Sequence, residues 1–129
     1  MVVVRFGVVG TNWITDRFLD HVKTLNDFSL TAVYSRTEEK AKAFAEKYGV
    51  AHIFTDLEEM AESDVLDAVY IATPNALHAE QSILFMNHGK HVLCEKPLAS
   101  NTKEVDDMFA AARKNGVVLM EAMKTTLLP

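Results

Sequence analysis

The sequence predicts an α/β domain: a doubly wound, mostly parallel six-stranded sheet with an expected strand order of 3-2-1-4-5-6. Three observations predict it. Six short apolar runs alternate with segments of helical periodicity through short connections, the pattern of βαβ units with helices on both faces of a sheet. The first run, with Val2, Val3, Val4, Phe6, Val8 and Val9, is the near-continuous apolar stretch of a strand buried on both sides. It stops at Gly10, and a helix follows within a few residues, so that the N–H groups and positive dipole end of that helix are offered to a phosphate.

Each element follows in order. Gly7 interrupts the first strand, which predicts close approach by another backbone. Ile14, Phe18, Val22 and Leu25 recur at helical spacing. Asn26-Asp27 breaks that helix, and Phe28 to Tyr34 is the second strand. Ser35-Arg36-Thr37 turns out of it. Ala41, Phe44, Ala45 and Tyr48 form an amphipathic stripe, with Gly49 suited to the position after the helix. Ala51 to Phe54 is a short third strand, and Thr55-Asp56-Leu57-Glu58 has capping-box spacing for a short helix.

Asp67 to Ala72 is the fourth strand, ended by Thr73-Pro74-Asn75 because proline cannot extend a central ladder. Asn75 is the expected N-cap of a helix running to His88 and closed by Gly89. His91 to Glu95 is the fifth strand, stopped by Lys96-Pro97. Asn101 and Glu104 repeat the capping spacing, and Val105, Met108, Phe109 and Ala112 give the next stripe, ended by Asn115-Gly116. Val117 to Ala122 is the sixth strand.

Composition narrows the function. The 129 residues suffice for one domain with a real core. The net charge of −5 argues against nucleic acid as a partner. There is no apolar run long enough for a membrane span and no basic leader pattern, and Cys94 as the single cysteine fits a reducing compartment, so a cytoplasmic location is expected. His21, His52, His88 and His91 lack metal-ligand spacing and are expected at the surface or strand edges, and no metal site is expected. Cys94 is expected as a packed, inert thiol, and Met108, Met120 and Met123 as core filling.

The candidate site lies at the carboxyl ends of strands one and four, where an open α/β sheet of this Rossmann type binds its ligand. The dinucleotide fingerprint asks for Gly, Gly and Gly or Ala at its first, third and sixth positions; here they are Gly10, Asn12 and Thr15. The turn alone is also compatible with a domain of this shape that binds no dinucleotide. Asn tolerates left-handed φ and its amide can bond a phosphate. Gly10, Thr11, Asn12, Trp13 and Ile14 are the candidate pyrophosphate contacts; Trp13 either packs over the cofactor or closes the turn. At the end of strand two, NAD binders place a carboxylate on the ribose 2′-OH. Ser35, Arg36 and Thr37 stand here instead, and no acid occurs before Glu38 and Glu39. A guanidinium beside hydroxyls suits a 2′-phosphate, so NADP is expected ahead of NAD; the plainer alternative is a solvent-exposed Arg36.

Cys94-Glu95-Lys96-Pro97 at the end of one strand, after Ala72-Thr73-Pro74-Asn75 with His78 at the end of the preceding one, resembles the glucose–fructose oxidoreductase/inositol dehydrogenase (Gfo/Idh/MocA) family. Ser35-Arg36 followed by a Lys/Ala-rich helix and Glu121-Ala122 on the last strand are similar to it as well. The resemblance covers essentially the whole chain; the departure is Asn12, where the family usually has Gly. It implies an NAD(P)-dependent oxidoreductase acting on a sugar, polyol or related hydroxyl compound. Lys96 would be the catalytic residue, facing the nicotinamide and the reacting oxygen, and Pro97 would hold the turn that aims it. Glu95 would orient Lys96 or border the nicotinamide ribose. Thr73, Pro74 and Asn75 would line the cofactor, with His78 near the same edge.

The same resemblance divides the chain into a cofactor domain, 1–122, and the start of a connection, 123–129, to a second domain carrying substrate contacts, a catalytic His and a homo-oligomer interface. By itself the chain is then expected to bind dinucleotide without turnover. A dinucleotide sensor without catalysis and an interaction module of the same shape are the rival expectations.

Overall fold

A computed structural model describes residues 4–11, 13–22, 27–95 and 101–122, with the backbone alone at 13, 14, 21, 75 and 122. Six parallel strands form one sheet: β1 (Val4–Val9), β2 (Phe28–Tyr34), β3 (His52–Phe54), β4 (Ala68–Ile71), β5 (His91–Glu95) and β6 (Leu119–Ala122), in the order β3-β2-β1-β4-β5-β6. This is the order expected from the sequence. The helices are α1 (Trp13–Val22), α2 (Glu38–Tyr48), α3 (Leu57–Glu62), α4 (His78–Asn87) and α5 (Thr102–Asn115).

Strand periodicity sorts the core into two layers, because successive side chains leave a strand on opposite faces. Phe6, Val8, Val33 and Tyr70 pack on one face with Phe18, Leu19 and Val22 of α1 and Phe44 and Ala45 of α2. Val9, Ala32, Val69, Ile71, Val92 and Cys94 pack on the other with Met60 of α3, Phe85 and Met86 of α4, and Met108 of α5. At the amino ends of β1 and β4, Arg5 clasps Asp67: Nη2 donates to Oδ1 at 2.9 Å and the Arg5 N–H to Oδ2 at 3.0 Å.

Several expectations are corrected. A Cβ at Gly7 would meet side chains, not backbone: Met60 Cε at 2.6 Å and Leu66 Cδ1 at 3.1 Å. The close approach there is made by the α3 region packing onto β1. The cap of α3 is Asp56 rather than Thr55, with Asp56 Oδ1 accepting from the Glu59 N–H at 3.2 Å. Asn75 does not cap an α-helix. The Leu77 N–H donates to the Pro74 carbonyl at 2.9 Å, a 3₁₀ turn spans Asn75–Leu77, and α4 begins at His78 with no side-chain cap.

Phe109 is 38% exposed, since Met108, Ala111 and Ala112 occupy the buried i, i+3, i+4 positions and Phe109 lies about 100° further round the helix. Met108 fills the core as expected, but Met120 is 58% exposed. Alternation along β6 turns Met120 away from buried Leu119, and the cluster beneath α1 and α2 contains no β6 residue. The sixth strand begins at Leu119, not Val117. Leu25 and Met123 lie outside the described residues.

Candidate functional site

Three strand ends build the site. Gly10 closes β1 with φ +108°, and a Cβ there would stand 3.1 Å from the Ala72 carbonyl oxygen. Only glycine fits both conditions without strain. The Gly10 N–H donates to the Tyr34 carbonyl at 3.3 Å, and the Ala72 N–H to the Val9 carbonyl at 3.0 Å, which levels the ends of β1, β2 and β4. Thr15, wholly buried at the sixth fingerprint position, donates its hydroxyl to the Gly10 carbonyl at 3.0 Å. A hydroxyl thus pins the turn where the fingerprint asks for a small residue, and the start of α1 is fixed against the strand it follows.

At the end of β2, Ser35 is buried and its N–H donates to the Phe54 carbonyl at 3.2 Å. Arg36 is exposed. Thr37 is the N-cap of α2, its hydroxyl accepting from the Lys40 N–H at 3.3 Å. At the end of β4, Thr73 donates to Gln81 Oε1 at 2.5 Å, and the ring of buried His78 bonds the Thr73 carbonyl through Nε2 at 2.7 Å. His78 therefore holds the Thr73-Pro74 turn from behind.

A cleft of about 280 Å³ runs between these ends, lined by Gly10, Thr11, Tyr34, Ser35, Arg36, Lys40, Ala72, Thr73 and Pro74. It brings together six of the residues singled out in the sequence: Gly10, Thr11, Ser35, Arg36, Thr73 and Pro74. Thr37, His78 and Glu95 do not line it. Asn12, Lys96 and Pro97 lie outside the described residues, as do the side chains of Trp13, Ile14 and Asn75. Lys40 was not foreseen. It stands four residues after Arg36, in the first turn of α2, a helix that begins at Glu38 and does not include Arg36.

Among the described residues the lining holds two cations and no carboxylate, in a chain with 18 acidic and 13 basic residues. Two pairs are made nearby. Glu38 bonds Lys42 at 3.3 Å, and Lys47 bonds Asp16 at 3.2 Å. Among the described residues neither Arg36 nor Lys40 has an ion-pair partner. The chemistry of that lining suits a dianionic phosphate, which accepts bidentately from Arg and as a point charge from Lys.

At the end of β5, Glu95 is half-buried and accepts a hydrogen bond from the Tyr70 hydroxyl at 2.7 Å. Cys94 is fully buried and packed as expected, and burial pushes its thiol up to about 12. His52, His88 and His91 are exposed. Among the described residues no cluster of His, Cys, Asp or Glu has metal-binding geometry.

Residues 4–123 match the family described as "Oxidoreductase family, NAD-binding Rossmann fold", the Gfo/Idh/MocA oxidoreductases. The chain belongs to this family. Over 127 residues it is 68% identical to a scyllo-inositol 2-dehydrogenase (NADP(+)) of Bacillus subtilis, covering 98% of this chain and 39% of the relative. A trans-1,2-dihydrobenzene-1,2-diol dehydrogenase of Danio rerio is 39% identical, with 98% and 38% covered. Among solved structures, a 3-ketoreductase from Actinomadura kijaniata, in complex with TDP-benzene and NADP, superposes with a TM-score of 0.87 at 37% identity over 92% of this chain and 38% of that one. The chain spans about two fifths of the length of these Gfo/Idh/MocA relatives. Among the described residues no helix is long and apolar enough to cross a membrane.

Proposed function

We propose that this chain is the cofactor domain of an NADP(H)-dependent oxidoreductase that interconverts a hydroxyl and a carbonyl on a polyol or sugar-like substrate. The observation that carries the choice of NADP is the acid-free end of β2, where Arg36 and Lys40 share one cleft with Ser35. In this reading Arg36 takes the 2′-phosphate bidentately, Lys40 adds the second charge from the first turn of α2, and Ser35 closes the floor. Gly10 and Thr11, with Asn12, Trp13 and Ile14 following, meet the pyrophosphate at the start of α1. Thr37 acts indirectly, by capping the helix that carries Lys40, and His78 by holding Thr73-Pro74-Asn75. The named activity of the 68%-identical relative supports both the cofactor and the substrate class.

When bound, NADPH would donate the hydride in reduction and NADP+ would accept it in oxidation. In this proposal Lys96 takes the proton from the substrate hydroxyl as general base in oxidation and gives one to the carbonyl oxygen as general acid in reduction, and its amine is well suited to that task when partly buried beside a cofactor. Pro97 holds the turn that aims it, and Glu95 borders the nicotinamide ribose. Residues 1–122 are the cofactor unit, and 123–129 lead toward a substrate domain of the length seen in the relatives. Turnover, substrate binding and homo-oligomer formation belong to the two domains together, with the chain alone binding dinucleotide. A cytoplasmic location agrees with the buried, unpaired Cys94 thiol.

Titrating the chain with NADPH and with NADH, read by nicotinamide emission, tests this reading. NADPH should bind about 10- to 100-fold more tightly, and Arg36→Ala should erase the difference. Equal affinity in the unaltered chain overturns the assignment of Arg36.

A further inference from the structure

The hydroxyl of Tyr70 is not required by its packing. Tyr70 is 1% exposed and its ring lies flat on Phe18, with centroids 3.8 Å apart and planes at 6°. Phenylalanine would serve that stack equally. The hydroxyl instead reaches across from β4 to β5 and donates to Glu95 Oε2 at 2.7 Å, 25 positions away in sequence. This is the length of a charge-assisted O–H···O bond. Burial, and then the Glu95 carboxylate itself, push the phenol pKa upward, so Tyr70 remains a donor across the physiological range.

Strand register fixes where Glu95 lies. Val9, Ile71 and Cys94 form one row across β1, β4 and β5. Glu95 is the next residue along β5, so it stands level with Gly10 and Ala72 at the carboxyl edge of the sheet. The carboxyl edge of the sheet is therefore asymmetric. Its β2 end has, among the described residues that line the cleft, two cations and no acid, the place for a phosphorylated ribose in the reading above. Its β5 end has an acid held on one oxygen, leaving the other free to accept from ribose hydroxyls. A dinucleotide lying across the β1/β4 switch point has its adenosine half over the first end and its second nucleoside over the other.

We propose that Tyr70 is a positioning residue for the nicotinamide half of the cofactor: it fixes the Glu95 carboxylate at the end of β5 so that the free oxygen meets the second ribose. This rests on the dinucleotide reading above. Phe18 adds a second function to the same ring. It belongs to α1, the helix whose start meets the pyrophosphate, so the stack ties that helix to the residue that orients Glu95.

The test compares NADPH with adenosine 2′,5′-bisphosphate, which carries the adenosine half alone, on the full chain. Tyr70→Phe retains the stack and should weaken NADPH by about three- to tenfold, with a smaller change in nicotinamide emission on binding. Adenosine 2′,5′-bisphosphate should stay within roughly twofold of the unaltered chain. In a Glu95→Ala background, Tyr70→Phe should add nothing, because the residue it positions is gone. Equal weakening of both ligands, multiplicative effects in the double variant, or unchanged NADPH affinity each overturns the proposal. If Tyr70→Phe fails to fold, Glu95→Gln and Glu95→Ala decide: Gln keeps an oxygen for the phenol and should bind NADPH more tightly than Ala, and equal loss overturns the role of Tyr70. An unaltered chain that binds neither ligand sinks the dinucleotide reading and this proposal together, whereas binding of both with no effect of Tyr70→Phe sinks this proposal alone.

Discussion

The Ala72 carbonyl oxygen stands 3.1 Å from the point where a Cβ on Gly10 would lie. This contact between β1 and β4 sets the width of the switch point. Gly10→Ala meets it and also imposes φ +108° on a residue with a side chain. The expected cost is about 1–3 kcal/mol in urea denaturation, together with loss of NADPH binding as the turn is pushed off its position. A variant that denatures at the same urea concentration as the unaltered chain would show that the turn relaxes freely.

Lys40→Ala removes one of the two cations in the cleft without touching the hydrogen bond that caps α2, which uses the Lys40 backbone. NADPH should weaken by about tenfold and NADH by less than about twofold. The salt dependence of NADPH binding should flatten as well, since an exposed cation acts through a screened field. Isothermal titration at two ionic strengths reads both effects.

Cys94 titrates in the alkaline range with a sign that can be worked out. Its folded pKa is raised to about 12 against an unfolded value of about 8.5. Below the unfolded value both states hold the proton, and the thiol leaves stability unchanged. Above it the unfolded chain releases the proton first, so stability falls as pH rises, by about 2 kcal/mol near pH 10. Cys94→Ala should remove this slope. A disulfide reagent should label the native thiol only as fast as the chain opens, and immediate labelling at neutral pH would contradict the burial.

The Arg5–Asp67 clasp works in the opposite direction. Hydrogen bonding from Arg5 holds the Asp67 carboxyl below its ordinary value of about 3.9. The stabilisation is complete above the unfolded pKa and is lost as pH falls through the folded one. Both side chains are more than a third exposed, so solvent screening limits the effect to about 1 kcal/mol or less. Asp67→Asn should lower stability at neutral pH by up to that amount and leave it nearly unchanged at low pH, so that the acid limb of the stability curve below about pH 4 flattens; an unaltered acid limb would assign it to other carboxylates.

The strands were legible because parallel strands buried on both sides need unbroken apolar runs, and Val33, Val69 and Ile71 are buried as that pattern demands. Periodicity did not say where a stripe ends. Phe109 and Met120 belong to apolar patterns, but they fall beyond the reach of the opposing layer. Hydrogen bonds to backbone are invisible in a sequence, so the sequence did not reveal that Asp56 rather than Thr55 caps α3, or that α4 is entered through the 3₁₀ turn Asn75–Leu77 rather than by an N-cap at Asn75. At the site, Arg36 was found through the absence of an acid. Lys40 was missed because a lysine on an amphipathic helix has the ordinary appearance of a solvated face. Tyr70 read as strand core, and only the register between β4 and β5 reveals the carboxylate beside its hydroxyl.

The strand order carries a consequence for synthesis. β1 is made before all the other strands yet lies in the middle of the sheet, between β2 and β4. Arg5 and Asp67, joined in the finished fold, are 62 positions apart. At about 5–20 residues per second a ribosome needs on the order of 3–12 s to cover that distance. During that interval Phe6, Val8 and Val9 have β2 to pair with on one edge and nothing on the other. The nascent chain is therefore most exposed to misassociation after α2 emerges and before Ile71 does, and a chaperone that binds short apolar extended segments would find its target in β1.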